Sequence, residues 1–241
     1  MTIPANRPTL LVTISLSKDP SREFLRHAAS FRAELGTHCH LTWLSAAVDQ
    51  ALDAGLPSQD DEVGLISPSS IADRQAVAVA MRAAALQLAK HARQLNTITD
   101  GEGAIWPHAD LLVKGGCSAV LQTAPTTKTA RRLRSNQPAS DPRRGRFGLW
   151  IVPAKRTVST KRDLAQAARI VDADLQDGLA HLAISADAEN SVHQGLSALG
   201  RELAALTKSK QAVFLTVRDL AQSFTAQSRS KPAQSILRKA A

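Results

Sequence analysis

Short apolar runs alternate with helical patterns along most of this chain. The runs are rich in β-branched residues and predict buried strands at 9–16, 40–44, 62–66, 96–99, 118–122, 146–152, 179–185 and 212–217. Apolar residues at helical spacing predict helices at 22–35, 46–54, 71–95, 107–114, 162–175 and 191–206, with a brief last helix to Phe224. This alternation is typical of parallel strands joined by helical crossovers.

The pattern predicts an α/β fold in a single domain over residues 9–224. Our first choice is a parallel, irregular (β/α) barrel of about seven to eight strands, whose closure can be incomplete, and a doubly wound open sheet is the alternative. No G-x-G-x-x-G or Walker pattern follows any strand, so the sequence predicts no nucleotide and no other cofactor. Residues 225–241 are predicted to form a basic C-terminal tail.

The formal net charge of +9 is concentrated in one segment. Lys128–Arg162 holds eleven basic residues and one acid, whereas the remaining nineteen basic and twenty acidic residues nearly cancel. Residues 123–145, rich in Thr, Ser, Pro and Arg, are predicted to form a mobile basic loop. Such a loop could bind nucleic acid or another polyanion by counterion release, through Arg131, Arg132, Arg134, Arg143, Arg144 and Arg146. A merely solvated insertion is the alternative, because charge runs without interleaved aromatic residues are often only that.

Composition places the chain in a reducing, aqueous compartment. The two cysteines form no C-x-x-C pair, which disfavours a disulfide framework. The N-terminus lacks a signal pattern, and no apolar run approaches the roughly 18 residues that span a bilayer. We therefore expect a cytoplasmic protein without a membrane partner.

Four segments carry a resemblance to a known family. They read V-T-I-S-L-S-K-D-P-S at 12–21, D-E-V-G-L-I-S-P-S-S at 61–70 and D-L-L-V-K-G-G-C-S-A-V at 110–120, and the last spans 179–224 with F-L-T-V near its end. Their order and spacing resemble the polysaccharide deacetylase family, the NodB-homology barrel, over roughly residues 9–224. That family has T-F-D-D-G-P and H-E-I-G-x-H-x-x-x-H in the first two places.

The resemblance implies metal-assisted hydrolysis of an acetyl group, in which the metal lowers the pKa of a bound water and a carboxylate takes its proton. Carried onto this chain, the family's base and metal-binding carboxylates fall on Ser15 and Leu16. Its two metal-binding imidazoles fall on Ile66 and Ser70, and its late histidine falls near Ser185. Serine hydroxyls replace carboxylate and imidazole poorly, and leucine and isoleucine do not ligate at all. The sequence therefore predicts a degenerate member without the metal.

Three functions stay open at this stage. The first is an inactive relative, a pseudoenzyme with a binding or regulatory role in carbohydrate metabolism, whose partner is an unknown protein or a glycan-like ligand. Its candidate ligand-binding residues lie at the strands' working edge: Ser17, Ser67, Ser70, Trp150 and Asp187. The second is an interaction module that binds nucleic acid or another polyanion through the arginines. The third is an active hydrolase of C–N (acetamide) bonds with displaced ligands, which requires convergence of His38, His40, His108, His181 or Asp187.

Other candidate groups have simpler readings beside the chemical ones. His38 and His40 lie on one face of a strand start and could bind a metal, or be surface histidines. Cys117 could be a reactive thiol beside Lys114, or a small buried residue. Asp187 and Glu189 could act as bases, or offset a helix dipole. His181 is expected to be a hydrogen-bonded core histidine.

Overall fold

The structure is a computed structural model that describes residues 7–16, 19–67, 73–100, 105–122, 141–154 and 156–230. Within them one sheet contains ten strands, namely β1 (Thr9–Leu16), β2 (Thr42–Ser45), β3 (Glu62–Ile66), β4 (Thr97–Asp100), β5 (Ala119–Gln122), β6 (Arg143–Arg144), β7 (Trp150–Pro153), β8 (Arg156–Val158), β9 (Leu179–Ser185) and β10 (Val213–Leu215). The described helices are α1 (Arg22–Leu35), α2 (Val48–Asp53), α3 (Arg74–Lys90), α4 (Ala109–Lys114), α5 (Lys161–Gln176), α6 (Asn190–Lys210) and α7 (Val217–Ser230).

The sheet is curled and mostly parallel, and it is open. Its strand order is β6-β7-β5-β4-β3-β2-β1-β9-β8, with β10 paired to the first residues of β1. The predicted α/β class with a curled, mostly parallel sheet is confirmed. The sheet is open and not a closed barrel, and it has ten strands where about seven to eight were predicted. Although β7 and β8 are neighbours in sequence, β7 pairs with β5 and β6 while β8 pairs with β9. Within the described residues no strand pairing joins these two ends of the sheet.

The convex side of the sheet is covered by amphipathic helices. Helix α1 buries Phe24, Ala28, Phe31 and Leu35, spaced as one helical face requires. It packs against α6, whose Gly200 allows close approach: a Cβ there would lie 3.0 Å from the Phe31 carbonyl oxygen. Strand residues that face this layer alternate along β1 as Leu10, Val12, Ile14 and Leu16.

The concave side is partly filled by α7. Leu11, Leu44 and Leu121 pack with Val217, Leu220 and Ala221 of that helix in a second apolar cluster. The helix was predicted to be brief and to end at Phe224, but it continues to Ser230. It covers the concave side near the amino ends of the strands, because its first turn contacts Thr42 and Glu62, where β2 and β3 begin.

Two stretches differ from the predicted elements for local reasons. The predicted helix 71–95 begins at Arg74, where Asp73 accepts a hydrogen bond from the Gln75 amide, and it ends at Lys90. The predicted strand 146–152 starts at Trp150, since residues 146–148 form a turn in which Phe147 has a positive φ. Strands β6 and β8 carry no apolar alternation and were not predicted. Among the described residues, no helix has the length and apolar character that a membrane crossing requires.

Asp61 ties several outer elements together. Its buried carboxylate accepts hydrogen bonds from the Leu41 amide (2.9 Å), the Trp43 indole nitrogen (3.0 Å) and the Ser58 amide (3.0 Å). The Arg32 guanidinium donates to the same carboxylate from α1 at 3.2 Å. A buried carboxylate is tolerated when donors satisfy it in this way, so this group fixes α1, the start of β2 and the loop before β3.

We expect Asp61→Asn to lower the free energy of unfolding by roughly 3–5 kcal/mol, because it leaves the Arg32 charge without its counter-ion and turns an acceptor into a donor facing other donors. Urea denaturation checks this. The matched control is Asp110→Asn, whose partner Arg74 is largely exposed (52%), and which should cost far less. Equal losses for the two variants would contradict the structural role of Asp61.

Candidate ligand-binding site at the carboxyl ends of the strands

The concave side carries a polar inner face beside the apolar cluster. Strand alternation turns Thr13 and Ser15 of β1, Thr42 of β2 and Glu62 of β3 inward, opposite the residues that pack against the outer helices. His181 enters the same space from β9. We call the open end of this face, at the carboxyl ends of β1, β3, β4 and β9, the carboxyl mouth.

Glu62 lies at the far end of this face from the carboxyl mouth, and it caps α7. Its Oε2 accepts from the Arg218 amide at 2.9 Å and from the Thr42 hydroxyl at 3.1 Å. The Thr42 oxygen in turn accepts from the Val217 amide at 3.0 Å. These two amides lie in the first turn of α7, where a negative charge is stabilised by unpaired N–H groups and the helix dipole.

Burying the charged form of Glu62 is nevertheless energetically costly, because only one of its two carboxylate oxygens accepts hydrogen bonds from the described residues. Among the described residues, Oε1 and the hydroxyl oxygen of Thr97 are both buried without a hydrogen bond of normal geometry. Burial raises the pKa of Glu62, while the nearby Thr97 hydroxyl and the hydrogen bonds from the Arg218 amide and Thr42 oppose that rise. Protonation of Oε1 would supply a donor toward the Thr97 oxygen.

His181 joins two parts of the sheet that no ladder connects. Its Nδ1 lies 2.9 Å from the Pro153 carbonyl oxygen of β7, and its Nε2 lies 3.1 Å from the Thr13 hydroxyl of β1. Because a carbonyl only accepts, Nδ1 carries the proton. The buried ring therefore bridges β7 to β9 and β1, and the expectation of a hydrogen-bonded core histidine is met.

The family positions differ in which way they face. Ser15 is half-buried and faces inward, and Ile66 is a half-buried residue packed beside the inner cluster. Leu16 is fully buried on the opposite side, in the core under the outer helices. Ser17 and Ser70 lie outside the described residues. The structure therefore brings Ser15 and Ile66 to the carboxyl mouth and removes Leu16 from it.

Three further residues line or flank the rim of the mouth. The Ser67 amide donates to the Thr99 hydroxyl at 3.2 Å, which links the ends of β3 and β4. Ser185 ends β9, and its hydroxyl accepts from the Asp187 amide at 3.1 Å in the following turn. The Asp187 side chain is exposed, so it is open to a ligand at this edge.

Trp150 does not belong to this edge. It begins β7, at the opposite end of the sheet, and is only 9% exposed. Its indole nitrogen donates to the Thr225 hydroxyl at 2.9 Å, and its ring lies 5.0 Å from that of Phe224. The prediction that Trp150 binds ligand is therefore corrected: helix α7 covers it, and it holds that helix in place.

The described residues do not fit a divalent metal. No group of three or more His, Cys, Asp or Glu side chains among them is arranged to bind one. His38 and His40 precede β2 at the amino ends of the strands, whereas Asp187 follows β9 at the carboxyl ends. His108 is buried in the turn before α4. The convergence that displaced ligands would require is not seen in this part of the chain.

The two cysteines are buried and free. Burial raises the pKa of Cys117 to about 12 and that of Cys39 to about 11. A thiol with such a pKa is protonated at neutral pH and is a poor nucleophile. The simpler interpretation of Cys117, a small buried residue, fits the structure.

Sequence reasoning missed Glu62. The interpretation of 61–70 concentrated on the end of β3, where the family's imidazoles would lie, and treated the acidic pair before it only as part of a motif. The signal that could have identified Glu62 is an acidic residue at the start of a buried apolar strand. In the sheet, Glu62 lies opposite Thr42, and Gly64 lies opposite Leu44. A Cβ on Gly64 would lie 2.7 Å from the Thr97 carbonyl oxygen, so β4 crowds this strand.

Comparison with solved structures shows the fold. The chain is similar to a crystal structure provisionally assigned as a polysaccharide deacetylase from Mycobacterium smegmatis, with TM-score 0.61, 11% identity and 94% of each chain covered. It is also similar to a variant of peptidoglycan deacetylase PdaC from Bacillus subtilis (TM-score 0.44, 14% identity, 99% of this chain and 100% of that chain). A third similar structure is a provisionally assigned hydrolase from Bacteroides thetaiotaomicron, with TM-score 0.47, 11% identity, and 86% of this chain and 46% of that chain covered. No protein-family model and no curated protein matches the chain.

We expect Glu62→Gln to flatten the pH dependence of stability. Because the pKa of Glu62 is raised in the folded state, its favourable contribution is complete below the unfolded value of about 4.3 and is lost as pH rises through the folded value. Urea denaturation between pH 4 and 8 should therefore show wild type losing stability relative to Glu62→Gln as pH rises.

The control for net charge is Glu202→Gln, at an exposed position of α6. Glu62→Leu tests the capping role separately, since it removes the acceptor of the Arg218 amide and should destabilise the fold at every pH. Parallel pH profiles for wild type and Glu62→Gln would show that the buried carboxyl does not titrate in this range.

Proposed function

We propose that this chain is a polysaccharide deacetylase-like protein that binds a ligand at the carboxyl mouth and does not run metal-dependent hydrolysis. The observation that carries the proposal is the inner face of β1. Its inward residues are Leu11, Thr13 and Ser15, and the next residue, Leu16, is buried under the outer helices. Moving the family motif by one or two positions along β1 therefore still places no carboxylate at the mouth.

The same residues support a polar, uncharged ligand such as a glycan. The Ser15 hydroxyl faces the mouth and makes no hydrogen bond to the rest of the described chain. Ile66 offers an apolar surface beside it, and the exposed Asp187 carboxylate accepts hydrogen bonds from ligand hydroxyls. Small-molecule sites typically have a mostly apolar lining with a small number of polar groups that point at the ligand, and this edge of the sheet has that combination. A binding or regulatory role in carbohydrate metabolism follows, and an unknown protein partner is the alternative occupant.

The proposal predicts that purified protein releases no acetate from N-acetylated chitooligosaccharides or acetylated xylan in the presence of zinc or cobalt. The physical reason is that hydroxyl and aliphatic groups at Ser15 and Ile66 neither hold the metal nor take a proton near neutral pH. Acetate is measured by an enzyme-coupled assay against a buffer blank. Turnover that depends on the added metal and is lost after chelation would overturn the proposal.

Binding is tested separately by titrating the protein with N-acetylated chitooligosaccharides and following amide signals by NMR. We expect shifts around Ser15, Ser67 and Ser185, and affinity about tenfold weaker in Asp187→Ala, the loss that a hydrogen bond of about 1.4 kcal/mol represents. Ser15→Phe should block the mouth by bulk. The control is Ser209→Phe, at an exposed position near the end of α6.

Unchanged affinity in both Asp187→Ala and Ser15→Phe would place the ligand elsewhere. Circular dichroism of Ser15→Phe checks that the sheet is intact, and Asp187→Ala keeps the test valid if it is not. Shifts confined to the outer helices would instead favour a partner protein on another surface.

A further inference from the structure

An exposed aromatic ring lies at the end of a short antiparallel hairpin. Strand β6 pairs with the first two residues of β7, Arg143 opposite Ile151 and Arg144 opposite Trp150. The turn between them is closed by the Gly145 amide, which donates to the Leu149 carbonyl at 2.7 Å. At its tip Phe147 is 66% exposed, although Leu149 and Trp150 beside it are buried.

The backbone at Phe147 is in the left-handed region, with φ 55° and ψ 20°. A bulky residue there costs on the order of 1–2 kcal/mol relative to glycine. Neither the strain nor the exposure of the ring favours folding, since the ring buries little apolar area. Strained backbone conformations are most often found at functional sites. The strain at Phe147, together with the exposure of its ring, therefore suggests that the ring contacts a ligand.

Three arginines lie on the same hairpin as the ring, within four residues of it along the chain. Arg143, Arg144 and Arg146 are all exposed, and a Cβ placed on Gly148 would lie 3.5 Å from Nη2 of Arg144, so this guanidinium lies over the turn. Arg143 donates a long hydrogen bond of 3.4 Å to Gln122. In the part of the chain that the structure describes, none of the three forms a salt bridge. Counting Asp141, residues 141–149 carry three positive charges and one negative, a net +2.

We propose that Arg143, Arg144, Arg146 and Phe147 form a binding site for single-stranded nucleic acid. Guanidinium groups bind phosphate with two parallel N–H donors and also stack on flat rings. An exposed phenyl ring stacks on an unpaired base whatever its identity. Exposed arginines that form no salt bridge with the described residues, together with one exposed ring, therefore match a polymer that alternates phosphates with accessible bases.

Other anionic surfaces match these four residues less well. A duplex keeps its bases stacked inside and would use only the arginines. A lipid surface is bound by several apolar side chains inserted together, and this turn presents one. An acidic polysaccharide offers charge and pyranose rings that can pack on a phenyl ring, but it has no π-face on which both Phe147 and a guanidinium stack.

This site is independent of the carboxyl mouth. Strand β7 begins at Trp150 and runs parallel to β5, so the turn lies at the amino ends of the strands. Its four residues lie within the described chain, whereas the predicted contacts Arg131, Arg132 and Arg134 lie outside the described residues and are not part of it. Failure of glycan binding at the mouth therefore says nothing about this site.

The test measures fluorescence anisotropy of a labelled 15-nucleotide oligo-dT titrated with the full chain. Phe147→Gly should weaken binding about 5- to 150-fold, the range for one base stacked on an aromatic ring. Glycine adopts the left-handed backbone freely, so this variant keeps the fold. The salt dependence of its affinity should stay that of wild type, because no phosphate contact is lost.

The triple variant Arg143→Gln, Arg144→Gln, Arg146→Gln should reduce the slope of log affinity against log salt by about 2, at about 0.7 per phosphate contact. The control with the same change in charge replaces Arg82, Arg169 and Lys208, exposed on three other helices, by glutamine and should leave the slope near wild type. Duplex DNA, heparin and phosphatidylserine vesicles are titrated in parallel.

Wild-type affinity of Phe147→Gly for oligo-dT would overturn the proposal. So would equal effects of the two triple variants, which would reduce the interaction to overall charge. Binding to vesicles or heparin that depends on Phe147, without binding to oligo-dT, would assign the patch to that other partner and reject nucleic acid.

Discussion

Two consecutive carboxylates at the start of β3 are buried on opposite sides of one sheet. Asp61 holds donors from α1, β2 and the preceding loop on the convex side, and Glu62 holds the first turn of α7 on the concave side. Each group is stable only while its donors stay in place, since an unsatisfied buried carboxylate is costly. The helix layer, the sheet and the inner helix are therefore joined through these two residues.

Sequence periodicity predicted the elements that carry a strong pattern. Strand β1 and helix α1 have the predicted bounds, because β-branched apolar residues in the first and a four-residue apolar spacing with Ser21 as cap in the second leave little ambiguity. Strands β6 and β8 were not predicted, because their extended conformation is set by the strands with which they pair and not by a local apolar pattern. The sequence likewise did not predict whether the sheet closes, since closure depends on which neighbouring strand each short edge strand pairs with.

The site was predictable only in part, for a related reason. In the structure Ser15 faces the carboxyl mouth and Leu16 is buried on the opposite side of β1, which the resemblance to a family with two consecutive carboxylates at one site did not indicate. Trp150 was predicted to lie at the working edge, and no local signal in the sequence shows that Phe224 and Thr225 cover it. Glu62 needed the register between β2 and β3 before its burial could be inferred.

The bridge made by His181 has a consequence for how wide the molecule's central space can become. Ladder hydrogen bonds fix the distance between paired strands at about 4.8 Å, whereas among the described residues no ladder pairs β7 with β9, and the His181 imidazole contacts the Pro153 carbonyl in its place. Loss of this contact would leave every strand pairing in place, and the two residues that separate Pro153 from Arg156 would still limit how far β7 and β8 can move apart. The width of the central space is therefore set at this point by a side-chain contact, where a closed barrel would have a backbone ladder.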